Sequence, residues 1–479
     1  MRSKRRLFPF LLGIALFLGF YLSPALPDAV DPAGRTAVLT HEGKAAIGLF
    51  MLAGVWWIFE VLPAGVTGLG IAVAQSLWLI RAPRQAMTDF MDPSVFFIFG
   101  SLLIGAAFSA TGLTKRMAFY LLKGIPERTP VIYLGVFSMT AFMTLFMAHT
   151  AVVSAIFPLV LIVYQLYEPT GRPTRFGKGL FIGMAYAAGA GSIITLLGAA
   201  RGAVAIGFYR QLTGRDISFF ELTKYMAPLG VVMVLLLWVY ICLVFRPERG
   251  ELPGLRAKAE QLYAKLGPIT RREIATLVIV LGLMALLTAR SFVPALKPFD
   301  KSAIILGAGI LFFVLGILRA PDLEAVPWNI ILLFGGAMSI GFCLWQTGAA
   351  QWMALGWLGQ LENAPWLLFL VGVAALILIM TNFIMNVAAI AITLPVSLVM
   401  APFIGVAPEI VTFVALATAG MPFMLLVGAA PNAIAYESGQ FRTREFFLAG
   451  IPASGMLLAV LTLFIWKIWP WMGMPVVLG

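Results

Sequence analysis

The chain has 479 residues, of which 61% are hydrophobic and 11% charged, and its mean hydropathy is +0.97. Soluble domains carry about 25% charged residues, so the composition excludes a soluble enzyme or a soluble binding domain. The net charge of +12 therefore reads as membrane topology rather than as nucleic-acid binding.

Arg2-Ser3-Lys4-Arg5-Arg6 precedes an apolar run at 7–27. No small-residue cleavage site follows Leu22, so the run predicts a first anchored helix rather than a removable leader. Residues 61–80, 225–245 and 446–466 are further charge-free stretches of about 20 residues, enough to cross the hydrocarbon. Shorter apolar cores at 45–59, 275–287, 304–318 and 330–343 fill the gaps. Glu60 reads as the structural partner of a helix end. Cys242 and Cys343 sit in apolar runs and read as packing residues. With only His41 and His149 beside them, no disulfide or metal framework is expected.

Two apolar segments, 130–166 and 365–403, are too long for one crossing and have polar centres, Ala148-His149-Thr150 and Met385-Asn386-Val387. Each predicts a re-entrant hairpin. Non-helical backbone at membrane depth persists only when buried in protein or lining a cavity. A helix interrupted by small residues follows each hairpin. The first carries Gly183, Gly189, Gly191, Gly198 and Gly202; the second carries Gly420, Pro422, Gly428, Pro431 and Asn432. Glycine costs a helix about 1 kcal/mol and proline about 3. Unwinding is expected at 198–202 and 428–432, freeing carbonyls for a cation and helix N-termini for an anion.

These marks occur twice in the same order. Leu196 to Ala205, LLGAARGAVA, returns 230 positions later as LVGAAPNAIA, with six of ten positions identical. Met143, Thr144, Phe146, Ala151 and Pro158 return at an offset of 237 as Met380, Thr381, Phe383, Ala388 and Pro395. Duplicated broken segments in a membrane chain point to a transporter site between repeats.

Lys and Arg residues favour cytoplasmic loops. Placing 2–6, 115–128, 172–178, 246–272, 319 and 442–444 inside collects 21 of the 33, against 10 in the opposite loops, which include Arg35. That assignment requires both hairpins to enter and leave on one side. Eleven crossings then put the N-terminus in the cytoplasm of a multi-pass inner-membrane protein, and the repeats are inverted. The expected parts are scaffold helices at 1–84 and 221–318, with a cytoplasmic linker at 246–273. Transport repeats at 92–208 and 327–438 contain the hairpins and the broken helices, 179–208 and 409–436. A last helix lies within 445–479.

The chain resembles the divalent anion/sodium symporter family of dicarboxylate, citrate and sulfate carriers over nearly its whole length. Val55-Trp56-Trp57-Ile58-Phe59-Glu60-Val61-Leu62-Pro63 is similar to the family's Trp-Trp-x-x-Glu-x-x-Pro helix. Thr381-Asn382-Phe383-Ile384-Met385-Asn386-Val387 resembles its second Ser-Asn-Thr tip, and Ala148-His149-Thr150 the first. Ala429-Ala430-Pro431-Asn432-Ala433 resembles its Thr-Pro-Pro-Asn stretch. The resemblance implies an all-α elevator-type carrier and a homodimer among membrane lipids. It also implies a small anionic substrate at Thr150, His149, Arg201, Asn386, Val387 and Pro431. A coupling cation, sodium in the family, would use Thr381, Asn386, Ala429 and Asn432; no other cofactor is implied.

Departures from the family pattern concentrate in the first clamp. Ala148 and His149 replace Ser and Asn, and Ala199-Ala200-Arg201-Gly202 replaces Thr-Pro-Pro-Asn. Met385 and Val387 replace Ser and Thr at the second tip. An intramembrane arginine costs about 2.5–3.5 kcal/mol on insertion scales. Arg201 either stands in for the first sodium as a tethered cation or grips the anion through its planar fork; packing alone would have it snorkel to the interface. His149 could orient substrate, carry a proton or hydrogen-bond a carbonyl. The expected function is secondary transport of a small di- or multivalent anion, a dicarboxylate such as succinate or malate first, with altered sodium coupling. Exchange, proton coupling, sulfate-type transport and an anion channel are the alternatives. A membrane enzyme would need a nucleophile or metal constellation that two histidines and scattered acids do not provide.

Overall fold

The computed structural model describes residues 2–478 apart from 31–35, 60, 362–364 and 384. Arg35, Glu60 and Ile384, named above, lie outside the described residues. Helix α1 (Arg2–Leu22) leads through a small ribbon, in which Ala29–Val30 pairs antiparallel with Thr36–Ala37, to α2 (His41–Ile58), α3 (Ala64–Leu77) and short α4 (Pro83–Thr88). Asp92 caps α5 (Pro93–Thr111) by accepting the Ser94 N–H. Pro93 fits its first turn, where a missing N–H is harmless. Gly112, at φ 77°, ends that helix and turns the chain into α6 (Leu113–Lys123).

Hairpin 1 follows as α7 (Thr129–Met143) and α8 (His149–Tyr167), then the interrupted pair α9 (Arg175–Gly191) and α10 (Arg201–Thr213), then α11 (Phe219–Val244). The linker carries α12 (Leu255–Ala264). Beyond it lie α13 (Arg271–Ala289), α14 (Lys301–Val314), short α15 (Ala320–Glu324), α16 (Trp328–Gln346) and α17 (Ala349–Leu361). Hairpin 2 is α18 (Trp366–Phe383) with α19 (Asn386–Phe403). The second interrupted pair is α20 (Pro408–Ala419) and α21 (Ala430–Tyr436). Helix α22 (Thr443–Leu463) runs through a π turn into α23 (Trp469–Trp471). Among the described residues eight helical spans are long and apolar enough to cross a membrane, and five shorter apolar helices accompany them.

Both halves therefore run long helix, short helix, hairpin, interrupted helix, long helix. They also pack on each other reciprocally: α3 lies on α16 as α14 lies on α5, and α8 touches α21 as α10 touches α19. The α3–α16 approach is backbone to backbone, for a Cβ on Gly336 would fall 2.2 Å from the Gly68 Cα. The core centres on α9, in which every residue from Phe176 through Gly191 except Lys178 is buried. A helix apolar on every side belongs inside. Tyr133 of α7 stacks on its Phe176, ring centroids 5.3 Å apart.

The unwound segments are 192–200 and 420–429, earlier than the expected 198–202 and 428–432. Gly202 and Pro431 instead occupy first turns of α10 and α21, where a missing or free N–H costs nothing. Close contacts end the preceding helices: a Cβ on Gly191 would lie 2.5 Å from the Ala141 Cα.

Candidate substrate and ion site

Each hairpin tip leans on the break of its own half. At tip 1 the His149 N–H donates to the Gly198 carbonyl at 3.0 Å, and His149 Nδ1 lies 3.2 Å from the same oxygen. Thr195 Oγ1 donates to the Leu145 carbonyl at 2.9 Å, and Ser192 Oγ to the Gly189 carbonyl at 2.7 Å. At this clamp the Gly198, Leu145 and Gly189 carbonyls each accept a hydrogen bond, while Thr195 Oγ1 donates one.

At tip 2 the Asn382 side chain accepts the Met424 and Leu425 N–H groups at 2.8 and 3.2 Å. Asn432 Nδ2 donates to the Pro422 and Leu425 carbonyls at 2.8 and 3.1 Å. Thr381 Oγ1 lies 3.2 Å from Asn386 Oδ1 and 3.1 Å from the Ala419 carbonyl. One hydroxyl proton serves only one of those two acceptors. This clamp keeps an uncommitted oxygen cluster of the kind a hard monovalent cation binds.

Between the tips lies a cavity of about 670 Å³. His149, Thr150, Arg201, Asn386, Val387 and Ala429 all line it. Ser109 and Ala110, at the end of α5, and Asp322 and Ala325, before α16, also line it. Pro431 and Asn432 are buried in the first turn of α21 and do not line it, nor does Thr381, which sits behind tip 2.

Arg201 is 2% exposed in the first turn of α10. Its Nη2 donates to Ser192 Oγ at 2.7 Å, and its Nη1 has no partner. Among the described residues no carboxylate lies within 4.0 Å of it. The guanidinium reaches the break of the other half, where a Cβ on Gly420 would fall 2.6 Å from Nη2. The Arg201 backbone lies in the first turn of α10, but its guanidinium meets Ser192 and Gly420, the C-caps of α9 and α20, whose negative dipole ends favour a cation. Sequence reasoning missed Ser192 and the contact made by Gly420. The signals were a lone hydroxyl in a glycine-rich run and a glycine opposite the arginine in the repeat. Among the described residues no group of three His, Cys, Asp or Glu could hold a metal ion.

Residues 14–475 match the family described as the sodium:sulfate symporter transmembrane region. Two Staphylococcus aureus proteins named sodium-dependent dicarboxylate transporter SdcS, of strains bovine RF122 / ET3-1 and MRSA252, are 25% and 26% identical over 464 residues. The match covers 92% of this chain and 88% of each relative. The solved Alcanivorax borkumensis YdaH transporter aligns with a TM-score of 0.60 at 14% identity, over 97% of this chain and 99% of its own. Neisseria gonorrhoeae MtrF, from a class of antimetabolite efflux pumps, aligns at 0.63 and 15%, over 98% and 97%. These last two likenesses concern the fold, that of a polytopic helical membrane protein. On the match over nearly its whole length, the chain belongs to the sodium:sulfate symporter family.

Proposed function

We propose that the protein is a secondary carrier of a small organic anion, held between the two hairpin tips and carried by an elevator-type movement of hairpins and interrupted helices. The observation that carries this reading is buried Arg201, with no carboxylate within 4.0 Å among the described residues, in the lining of the cavity between the tips. The dicarboxylate in the relatives' name is the first substrate to test. Sodium coupling is reduced to the second clamp, because the Arg201 guanidinium lies against Ser192 in the first.

Energetics bear on this. Moving a dianion against an inside-negative potential costs roughly 4.6 kcal/mol per 100 mV, twice the single-charge figure. A guanidinium that returns with the protein each cycle supplies no net driving force. Anion exchange is therefore the second reading. We place the protein in the inner membrane with its N-terminus in the cytoplasm, as a homodimer joined through scaffold helices.

Counterflow in proteoliposomes, with and without a sodium gradient, tests the reading. Saturable counterflow of succinate is expected. Flux that does not saturate with concentration would make the protein a channel instead.

A further inference from the structure

We infer that the basic face where α6, the end of the linker and the start of α13 meet binds an anionic phospholipid, with its phosphate among the cations and an acyl chain along α13. Buried Arg116 of α6 builds this face. Its Nε donates to Glu273 Oε1 at 2.6 Å, and its Nη1 and Nη2 donate to the Gly267 and Pro268 carbonyls at 3.0 and 3.2 Å. The loop at 265–270 is thereby seated on α6, and Glu273 is turned inward, 3% exposed. The other cations stay outside. Lys115 of α6, Lys265 of the loop, and Arg271 and Arg272 of α13 are exposed, and Lys123 is partly so. Among the described residues none of them has a carboxylate within 4.0 Å. Lys123 Nζ lies 5.7 and 5.1 Å from the Tyr120 and Tyr263 ring centroids, and tyrosines are enriched at the head-group level of membranes.

Chain continuity puts this face at the membrane surface. Lys115 follows the spanning helix α5 by about one turn, and Arg271 opens the spanning helix α13. Of the long spans among the described residues, α13 is the least covered by protein. It buries Glu273, Thr276, Val280, Leu283 and Leu287. Arg271, Ile274, Val278 and Leu281 are exposed at helical spacing on another stripe. That stripe carries a guanidinium at its end and apolar side chains along it, which is the order of phosphate and hydrocarbon in a phospholipid. The guanidinium fork matches phosphate oxygens, and each Lys or Arg near the surface strengthens attraction to anionic lipid about fivefold. A free phosphate would use the cations and leave the apolar stripe unused.

The test uses the full chain in a neutral detergent and follows retained lipid by native mass spectrometry. Phosphatidylglycerol should half-saturate at least about tenfold lower than phosphatidylcholine with the same chains, since more than one cation contributes. Lys265→Gln, Arg271→Gln and Arg272→Gln together should weaken phosphatidylglycerol about a hundredfold, three steps of about fivefold, and leave phosphatidylcholine unchanged. Should the triple variant lose its sharp melting transition, Arg271→Gln alone should weaken phosphatidylglycerol about fivefold. Arg172→Gln with Arg444→Gln, exposed basic positions on other segments, should change neither lipid. An equal loss in that control pair would overturn the inference, because the attraction would then belong to net charge rather than to this face. Displacement of the lipid by an equal concentration of glycerol 1-phosphate would overturn it in favour of a free-anion site. A triple variant that turns a dimer into monomers would show that a second copy, not lipid, covers the stripe.

Discussion

Arg201 is 2% exposed, and its guanidinium has Ser192 Oγ as a hydrogen-bond partner while Nη1 has none. A hydrogen bond to a charged group contributes about 1.5–3 kcal/mol, so Arg201→Ala should lower anion affinity by about 10- to 100-fold or abolish uptake at any salt concentration. Arg201→Lys separates two roles, since a point charge cannot reproduce the fork. Weaker affinity with unchanged cation dependence marks an anion ligand. A tethered cation predicts instead that Arg201→Pro, Gly202→Asn, His149→Asn and Ala148→Ser together raise sodium dependence. Wild-type affinity in Arg201→Ala would return the residue to structure. Thr381 makes the opposite case, because its hydroxyl joins the oxygen cluster at Asn386 and Ala419. Thr381→Val should raise the sodium concentration for half-maximal uptake several-fold; unchanged sodium titration would remove the second clamp from the coupling. At this scale the sequence showed which residues were unusual but not what they touch. Arg201 stood out as a charge in an apolar run. Its contact with Gly420 spans more than two hundred positions and depends on the packing of the two breaks.

Hairpins and interruptions were legible because polar, glycine and proline residues punctuate apolar runs. The helix ends were not, since contacts such as Gly191 against Ala141 decide them. The same principle governs α3 and α16. Gly336→Ala would drive a methyl group against the Gly68 backbone, which cannot rotate away. Overpacking of this kind costs about 1–3 kcal/mol, so the variant should melt several degrees lower in detergent, while Gly282→Ala, with open space beside it, should not. Glu248, in the loop after α11, joins hairpin 1 to α9. It accepts the Arg175 and Phe176 N–H groups at 2.5 and 3.3 Å and the Tyr167 hydroxyl at 3.1 Å. Partial burial pushes its carboxyl up, but these donors pull harder, and the net lies below the ordinary 4.5. The sign follows from linkage. The ionised form is favoured in the fold, so its contribution is present above about pH 4.5 and fades as pH falls through the lowered value. Melting temperature should fall on acidification below that point, and less so in Glu248→Gln. Parallel acid curves for the two proteins would remove this clamp from the account.

At the scale of the molecule, the doubled helix order was readable from composition and repeats alone. The cavity's shape, and the end at which it meets exposed residues, required the fold. Ser109, Ala110 and Ala325 are exposed members of the lining; Ala325 is close in sequence to Arg319 and Ala110 to Lys115, both of which the charge distribution assigns to the cytoplasm. At the opposite end Arg210 of α10 approaches Asp92 at 4.0 Å and Asp300 at 3.8 Å. Lys301 pairs with Asp216 at 2.6 Å. Arg210 thus joins α10 to the starts of α5 and α14, and Lys301 joins α14 to the segment after α10. The proposed orientation therefore predicts a site open to the cytoplasm in this state. With Cys242 and Cys343 replaced by serine, a cysteine at Ala110 or Ala325 should react with a membrane-impermeant maleimide in inside-out vesicles and resist it in intact spheroplasts. Saturating anion, by favouring movement of the loaded site, should slow labelling from inside. Labelling from the outside surface alone would reverse the orientation, and with it the assignment of the basic loops to the cytoplasm. Equal labelling from both sides at all anion concentrations would argue for a continuous pore and against alternating access.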